Sequence, residues 1–343
     1  MLLHRSTQPI LLPDRPWEAG ASLMAVAAFT DAATDDLLLY YLARGSTLPH
    51  GNVLCLARSA DGRAWTKPDL GDGSNIVMRG SGHAMDWGEF MPSSLIHDPA
   101  DPDATRRWKM IYWDRPDPAL PPGICLAVSP DGLKWRPLHA RPVITNANDA
   151  MSFITARPGV KTPLGEATHF LYQQTWAYNP ALPTGRDNLK GMHRRISVWK
   201  CEDFAGRWVG PVTILEPDAL DAPDLQFYWL TPFPTATGYG AFLNCHHTGD
   251  QTMDVQLATS ADGWTWQRAL NRRPVIPLGP RERFDCGLVI VAAQPLRWRD
   301  RVLVFYHGRA TVHDRQPRHP ADPLPDPSSG IGLAEFTPAL LEG

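Results

Sequence analysis

No stretch of this 343-residue sequence is apolar for long enough to cross a bilayer as a helix. Its opening, MLLHRSTQPILLPDRPWEAG, has neither the basic start nor the long apolar run of a secretion signal. Charge is sparse: 20% of residues are charged, and 33 Lys and Arg against 36 Asp and Glu leave a net charge of −3. That balance argues against nucleic acid or an anionic membrane surface as a partner. Cysteine is scarce too, and the five present (55, 125, 201, 245 and 286) fall at no metal-type spacing. Cys55, Cys125 and Cys201 sit inside apolar runs, as buried reduced thiols of a cytoplasmic protein would.

What the chain does have is Pro (34), Gly (27) and Trp (13), a composition of many turns and short strands. One turn recurs: SADGRAW at 59–65, SPDGLKW at 129–135 and SADGWTW at 260–266. Each copy follows an alternating apolar run (NVLCLARS, GICLAVS, MDVQLATS), the period-two pattern of a half-buried strand. Asp-Gly then supplies a tight turn, Gly by accepting positive φ and Asp by bonding its own backbone. Two further strand-like runs precede each hairpin, such as FMPSSLIHDP and RWKMIYWDRP ahead of GICLAVS. A worn copy spans 150–208, and a last one runs from CGLVIVAAQPL through RVLVFYHGRA to GIGLAEF. RPVI at 141–144 and 273–276, with GPVTIL at 210–215, marks a fourth strand. QPILL at 8–12 is a fourth strand with no unit before it, and the last unit ends after its third strand. The pattern predicts an all-β, five-bladed β-propeller of four-stranded antiparallel blades, one domain over residues 1–343, closed by the N-terminal strand. The Ser-x-Asp-Gly-x-x-Trp turn is then scaffold, on the face away from the site.

With third-to-fourth turns on one face, the segments leading into each innermost strand open on the other, around a central funnel. Those segments are 14–22, 83–91, 146–153, 221–229 and 281–288. Each carries carboxylates: Glu18; Asp86 and Glu89; Asp149; Asp221 and Asp224; Asp285. An Asp before a strand commonly bonds its own loop, but such residues across five blades point to acid/base work on a glycosidic bond. One carboxyl protonates the leaving oxygen while another attacks or activates water. Asp149, Asp224 and Glu89, beside aromatic or apolar inner-strand residues, are the catalytic candidates, and Asp285 is a substrate-binding one. The second-to-third loops add Trp113 as a stacking face, and Arg195, His246, His247 and His307 as donors to hydroxyls or a carboxylate. His246 and His247 point to opposite sides of a strand, so at most one reaches the funnel. Two Pro-rich loops, 174–195 and 306–330, are long enough to act as lids.

Blades, carboxylates and repeated turns together resemble the glycoside hydrolases of families 32, 43 and 68, most of all the family-32-like propeller proteins. WKMIYWD (108–114), RRISVWKCEDFAGRW (194–208), PDALDAPDLQFYW (217–229), VQLATSADGWTW (255–266) and VIPLGPRERFDCG (275–287) carry the likeness, which spans nearly the whole chain. The family-32 signatures are altered: blade one offers only PWEAG, DRPD (114–117) stands in a different loop from Arg-Asp-Pro, and Glu202 follows Cys201 instead of preceding a cysteine. The resemblance implies a glycoside hydrolase with a small glycoside or oligosaccharide as substrate and no required cofactor. Related propellers sometimes hold a structural calcium in the channel; no ligand spacing for one stands in this sequence, and no metal ligand is assigned. Three alternatives fit the same ring. They are a carbohydrate phosphorylase with Arg115, Arg195 and His247 around phosphate, a polysaccharide lyase using His or Tyr, and a non-catalytic sugar-binding propeller.

Overall fold

The computed structural model describes residues 1–45, 51–85, 88–145, 148, 150–182 and 185–342. The described structure is all β, its helical segments being 3-10 turns of three or four residues. After β1 (Leu2–Arg5) comes a four-stranded antiparallel meander of β2 (Ser22–Thr30), β3 (Leu37–Arg44), β4 (Val53–Ser59) and β5 (Ile76–Arg79). A second consists of β6 (Met91–His97), β7 (Trp108–Asp114), β8 (Gly123–Ser129) and β9 (Arg136–Pro137). The third begins with β10 (Met151–Thr155) and makes a small hairpin of β11 (Lys161–Thr162) and β12 (Gly165–Glu166). It continues with β13 (His169–Tyr178), β14 (Met192–Cys201) and β15 (Val209–Leu215). A fourth group has β16 (Leu225–Pro234), β17 (Tyr239–His247), β18 (Thr252–Ser260) and β19 (Gln267–Arg268). The last has β20 (Leu288–Ile290), β21 (Leu296–Trp298), β22 (Arg301–Arg309) and β23 (Ser329–Phe336), with β1 on its outer edge. Every residue of β8 and all but one of β17 are buried, because neighbouring sheets cover both faces. This is why the middle strands read as nearly continuous apolar runs.

The Ser-x-Asp-Gly-x-x-Trp turns lie after β4, β8 and β18, third strand to fourth as expected. In each, the serine Oγ accepts from the glycine N–H at 2.8–2.9 Å. One aspartate oxygen accepts from the next two N–H groups at 2.7–2.9 Å. The glycines hold φ of +72 to +75°. They are also where sheets touch. A methyl on Gly132 would fall 2.6 Å from the Tyr40 hydroxyl of the first sheet, and one on Gly263 2.8 Å from Phe170 of the third. Tyr172 of the third sheet donates to the Gly263 carbonyl at 2.6 Å. These two turns lean on the sheet that precedes them, so the repeat sets the spacing between sheets as well as the local bend.

Some strand boundaries differ from expectation. The N-terminal partner of β23 is β1, in the register Leu2 opposite Phe336 and Arg5 opposite Ala334. QPILL contributes only a bridge from Leu11 to Ile331. The RPVI segments likewise make single bridges, Ile144 to Ile124 and Ile276 to Val255, since their proline removes a ladder donor. CGLVIVAAQPL breaks into β20 and β21.

Charge reinforces the β1–β23 pairing. The Arg5 guanidinium meets the Asp285 carboxylate at 2.5 Å and lies 4.9 Å over the Tyr306 ring. The Tyr306 hydroxyl accepts from Arg5 Nε at 2.9 Å and donates to Asp285 Oδ2 at 2.7 Å. Asp285 and Tyr306 are fully buried, so removing one partner strands a charge away from water. Asp285→Asn is expected to lower the unfolding free energy by about 3 kcal/mol. In urea titrations, Arg5→Met combined with Asp285→Asn should cost clearly less than the two single changes added together; simple additivity would show that the clasp carries no coupling.

Candidate active site

A cavity of about 470 Å³ opens where inner strands meet long loops, a volume typical of small-molecule sites. Its wall takes Met24 from β2, Arg44 from the end of β3, Glu89 from the turn before β6, Tyr228 from β16, Ile290 from β20, and His307 and Arg309 from β22. The two loops expected to act as lids complete it: Arg186 and Asn188 come from one, His313, Asp314 and Arg315 from the other. Groups of strands far apart in sequence thus share one hollow.

The wall's charge is positive. Among the described lining residues, four arginines face two carboxylates, Glu89 and Asp314. Glu89 is exposed, accepts from Asn52 Nδ2 at 3.0 Å and lies 3.6 Å from Arg44 Nε. Asp314 pairs with Arg186 at 3.0 Å. Burial, with the nearby charges of Arg44 and Arg315, pulls the Arg309 pKa down to about 10.

Three histidines at the wall are held neutral. His307 is buried and its pKa is pushed down to about 3, by burial and then by Arg309. Its Nδ1 lies 3.0 Å from the Leu23 carbonyl, which can only accept, so the proton sits on Nδ1 and Nε2 remains an acceptor. His313 is lowered to about 4 by burial and the Arg194 charge. Gln251 Nε2 donates to the Thr248 carbonyl (2.9 Å), which turns Gln251 Oε1 toward His313 Nδ1 (3.3 Å). That places the His313 proton on Nδ1 and leaves Nε2 to accept from the Tyr228 hydroxyl at 3.3 Å. His246, fully buried, has its ring centre 4.6 Å from that of His313 with the two rings tilted, and burial drives its pKa well below normal.

Of the residues expected from sequence, Glu89 and His307 line this cavity, and His246 packs behind it against Tyr228 and His313. Asp149 lies outside the described residues, as does Asp86. Asp224 is turned toward the turn between β17 and β18, where Oδ2 accepts from Gly249 N–H at 3.1 Å. Asp285 is spent on the Arg5 clasp. Glu18 is fully buried and holds Lys67 at 2.6 Å, as an anchor for the segment ahead of β2. Trp113 is buried behind Gly88, so it supports the lip of the cavity and presents no stacking face. His247 pairs with Asp254 at 3.0 Å on the other side of β17. Arg195 lines a smaller hollow of about 270 Å³ with Trp176 and Asn148.

Strand parity gives the residues the sequence reading missed. Arg194, one place before Arg195, points the other way and grips Asp187 with both nitrogens at 2.8 and 3.0 Å. It also donates to Gln226 and Asn188 and lies 5.7 Å over the Tyr228 ring. Asp187, His246 and His313 bring donor atoms within 4.8 Å of one another. This set does not fit calcium, which takes six or more oxygens. It fits no other divalent ion well either, because both Asp187 oxygens already accept from a permanently charged guanidinium. The five cysteines are buried and unpaired.

No protein-family model matches the chain, and no curated protein matches it in sequence. Solved structures do resemble its fold. One, described as a glycoside hydrolase, aligns with a TM-score of 0.62 and 12% identity over 98% of this chain and 92% of its own. Another comes from work on the GH130 family of mannoside phosphorylases, which contains glycoside hydrolases that target β-1,2 mannosidic linkages in Candida mannan. It aligns with a TM-score of 0.62 and 13% identity over 99% of this chain and 95% of its own. A thermostable family-43 glycoside hydrolase gives 0.55 and 14% over 92% and 88%. The fold is that of the propeller-type glycoside hydrolases. At such identities the likeness covers the scaffold and leaves the chemistry to the site.

The neutral histidines set a pH dependence. His169 (lowered to about 4 by burial), His246, His307 and His313 all have native pKa values below their unfolded ones. As pH falls through 6.5 the unfolded chain takes up protons that the native state refuses, so stability drops. For His247 burial pulls the pKa down, but Asp254 outweighs it and the net shift is upward, so this residue works in the opposite sense. Between pH 6.5 and 5 the loss should reach about 1.4 kcal/mol per pH unit for each suppressed histidine. His307→Gln should flatten the slope by one such contribution in urea unfolding. A stability flat from pH 7 to 5 would refute the neutral assignments.

Proposed function

We propose that the chain is a carbohydrate-active enzyme that hydrolyses a glycosidic bond in this cavity. The strand groups are read as five blades of a ring that β1 closes. The observation that carries the proposal is the convergence on one hollow of residues from widely separated strands, with an exposed carboxylate, neutral imidazoles and apolar wall side by side. Glu89 is the proposed acid/base or nucleophile among the described carboxylates. Its hydrogen bond from Asn52 orients the carboxylate, and Arg44 lies 3.6 Å away. Asp149 remains the proposed second carboxyl on the sequence argument alone. His307 Nε2 can accept from a sugar hydroxyl, and Met24, Tyr228 and Ile290 supply the surface against which a sugar ring would pack.

A second reading, elimination by a lyase, is favoured by the Tyr228–His313–Gln251 chain, which aims the phenol proton at an imidazole acceptor. With its phenol proton passed to His313 Nε2, Tyr228 as the phenolate can abstract a proton beside a sugar carboxylate.

The two readings separate on an aryl-glycoside and oligosaccharide screen. For hydrolysis, Glu89→Gln and Asp149→Asn should each lower kcat/KM by about a thousandfold, near the range of a lost general acid or base. Asp224→Asn should stay within about threefold, in keeping with a carboxylate turned to the Gly249 N–H of the β17–β18 turn. Turnover that survives Glu89→Gln, falls with Tyr228→Phe and releases an ultraviolet-absorbing unsaturated product would replace hydrolysis by elimination.

A further inference from the structure

We infer that the cavity selects a sugar bearing a carboxylate, and that Arg309 is the centre of the subsite that binds it. This rests on the reading of the cavity as a carbohydrate site and adds the substrate's charge to it. Of the four arginines in the wall, Arg44 and Arg186 are matched by Glu89 and Asp314. Arg309 and Arg315 have no carboxylate within 4 Å among the described residues. Arg315 is exposed, so water screens it. Arg309 is largely withdrawn from water, and its side chain makes one hydrogen bond, from Nη2 to the Val312 carbonyl at 2.9 Å. Its Nε is buried with no hydrogen-bond partner.

A guanidinium in that state is costly. Withdrawing an ion from water carries a desolvation penalty that stays unrelieved when no counter-charge is near. Burial first, and then repulsion from the neighbouring Arg44 and Arg315, lowers the Arg309 pKa. An oxyanion seated on the fork would relieve desolvation and repulsion together, and the planar guanidinium suits a carboxylate taken by two parallel hydrogen bonds. The surroundings favour an anion carried on a sugar over a lone inorganic one. Leu288, Ile290 and Tyr228 form an apolar wall beside the cations, and His307 Nε2 is an acceptor that would repel a bare anion but can bind a hydroxyl. A uronate residue presents both kinds of group at once.

The test is equilibrium binding of the full chain to galacturonate- and glucuronate-terminated trisaccharides, their carboxyl-reduced counterparts and inorganic phosphate. At least one acidic sugar should bind about tenfold or more tightly than its reduced partner, the scale of one charge-assisted bidentate contact. Arg309→Met should abolish that preference while leaving affinity for the reduced sugar within about threefold, and Arg309→Lys should restore part of it. Arg315→Ala, at an exposed position, should cost only a small part and keeps the test open if Arg309→Met fails to fold. Equal affinity for acidic and reduced sugars would overturn the inference and leave the carbohydrate reading standing. Phosphate that binds at the same arginines, with no preference for acidic sugars, would reassign the subsite to phosphate and overturn it too. No binding of sugars of either kind would refute the carbohydrate reading, and this inference with it.

Discussion

The pairing of Leu2–Arg5 with Ser329–Phe336 is the constraint from which the rest of the architecture follows. A sheet left with a bare edge invites pairing with other chains, and here the N-terminal strand occupies that edge. Hydrogen bonds between two short strands would hold the ends weakly. The Arg5–Asp285–Tyr306 clasp adds charge where water cannot screen it. Asp285 stands three residues before β20, and Tyr306 lies on β22 next to His307, which faces the cavity. Whatever holds the chain ends together therefore also positions one wall of the site.

The turns work in the same direction. Three copies of one hairpin would be unremarkable if each only reversed the chain, but Gly132 and Gly263 press against aromatic residues of the preceding sheet. A side chain at either position would push two sheets apart. Since the cavity is bounded by loops from different sheets, spacing at the scaffold end sets distances at the site. Apolar packing on both faces of the strands supplies the cohesion, and the turns supply the pitch.

Much of this was legible in the sequence, and the parts that were not have a common cause. Periodicity and turn chemistry placed most strands to within a few residues, because alternation and Asp-Gly are local signals. The single-residue misses are matters of parity. Arg195 was expected to reach the funnel, yet Arg194 faces that side; for His246 and His247 the alternation was noted and His246 is the one turned inward. Asp224 and Asp285 fit the pattern of a carboxylate before an inner strand, and both already have partners distant in sequence, one the Gly249 N–H and one Arg5. A pattern of residue types cannot tell a carboxylate that needs a partner from one that already has it. Arg44, Tyr228 and Asp187 were invisible for a different reason: their roles exist only once strands and loops distant in sequence are brought together.

That distinction bears on how the site works. The sequence suggested an acidic well, and the described wall is positive instead, with its carboxylates matched and its histidines neutral. A neutral imidazole with a fixed tautomer is useful beside a sugar, since the nitrogen without a proton accepts in a set direction and needs no reorientation when substrate arrives. His307 has its proton committed to Leu23, and His313 has its proton committed to Gln251. His307 therefore keeps an acceptor for a hydroxyl proton, His313 Nε2 takes the Tyr228 hydroxyl, and Arg309 has no carboxylate beside it among the described residues. Burial is what enforces this division, because the same desolvation that keeps the imidazoles uncharged leaves Arg309 short of a counter-ion. One physical cause, a wall withdrawn from water, thus fixes the polarity of two unlike kinds of side chain and makes a ligand with both hydroxyls and a carboxylate their natural complement.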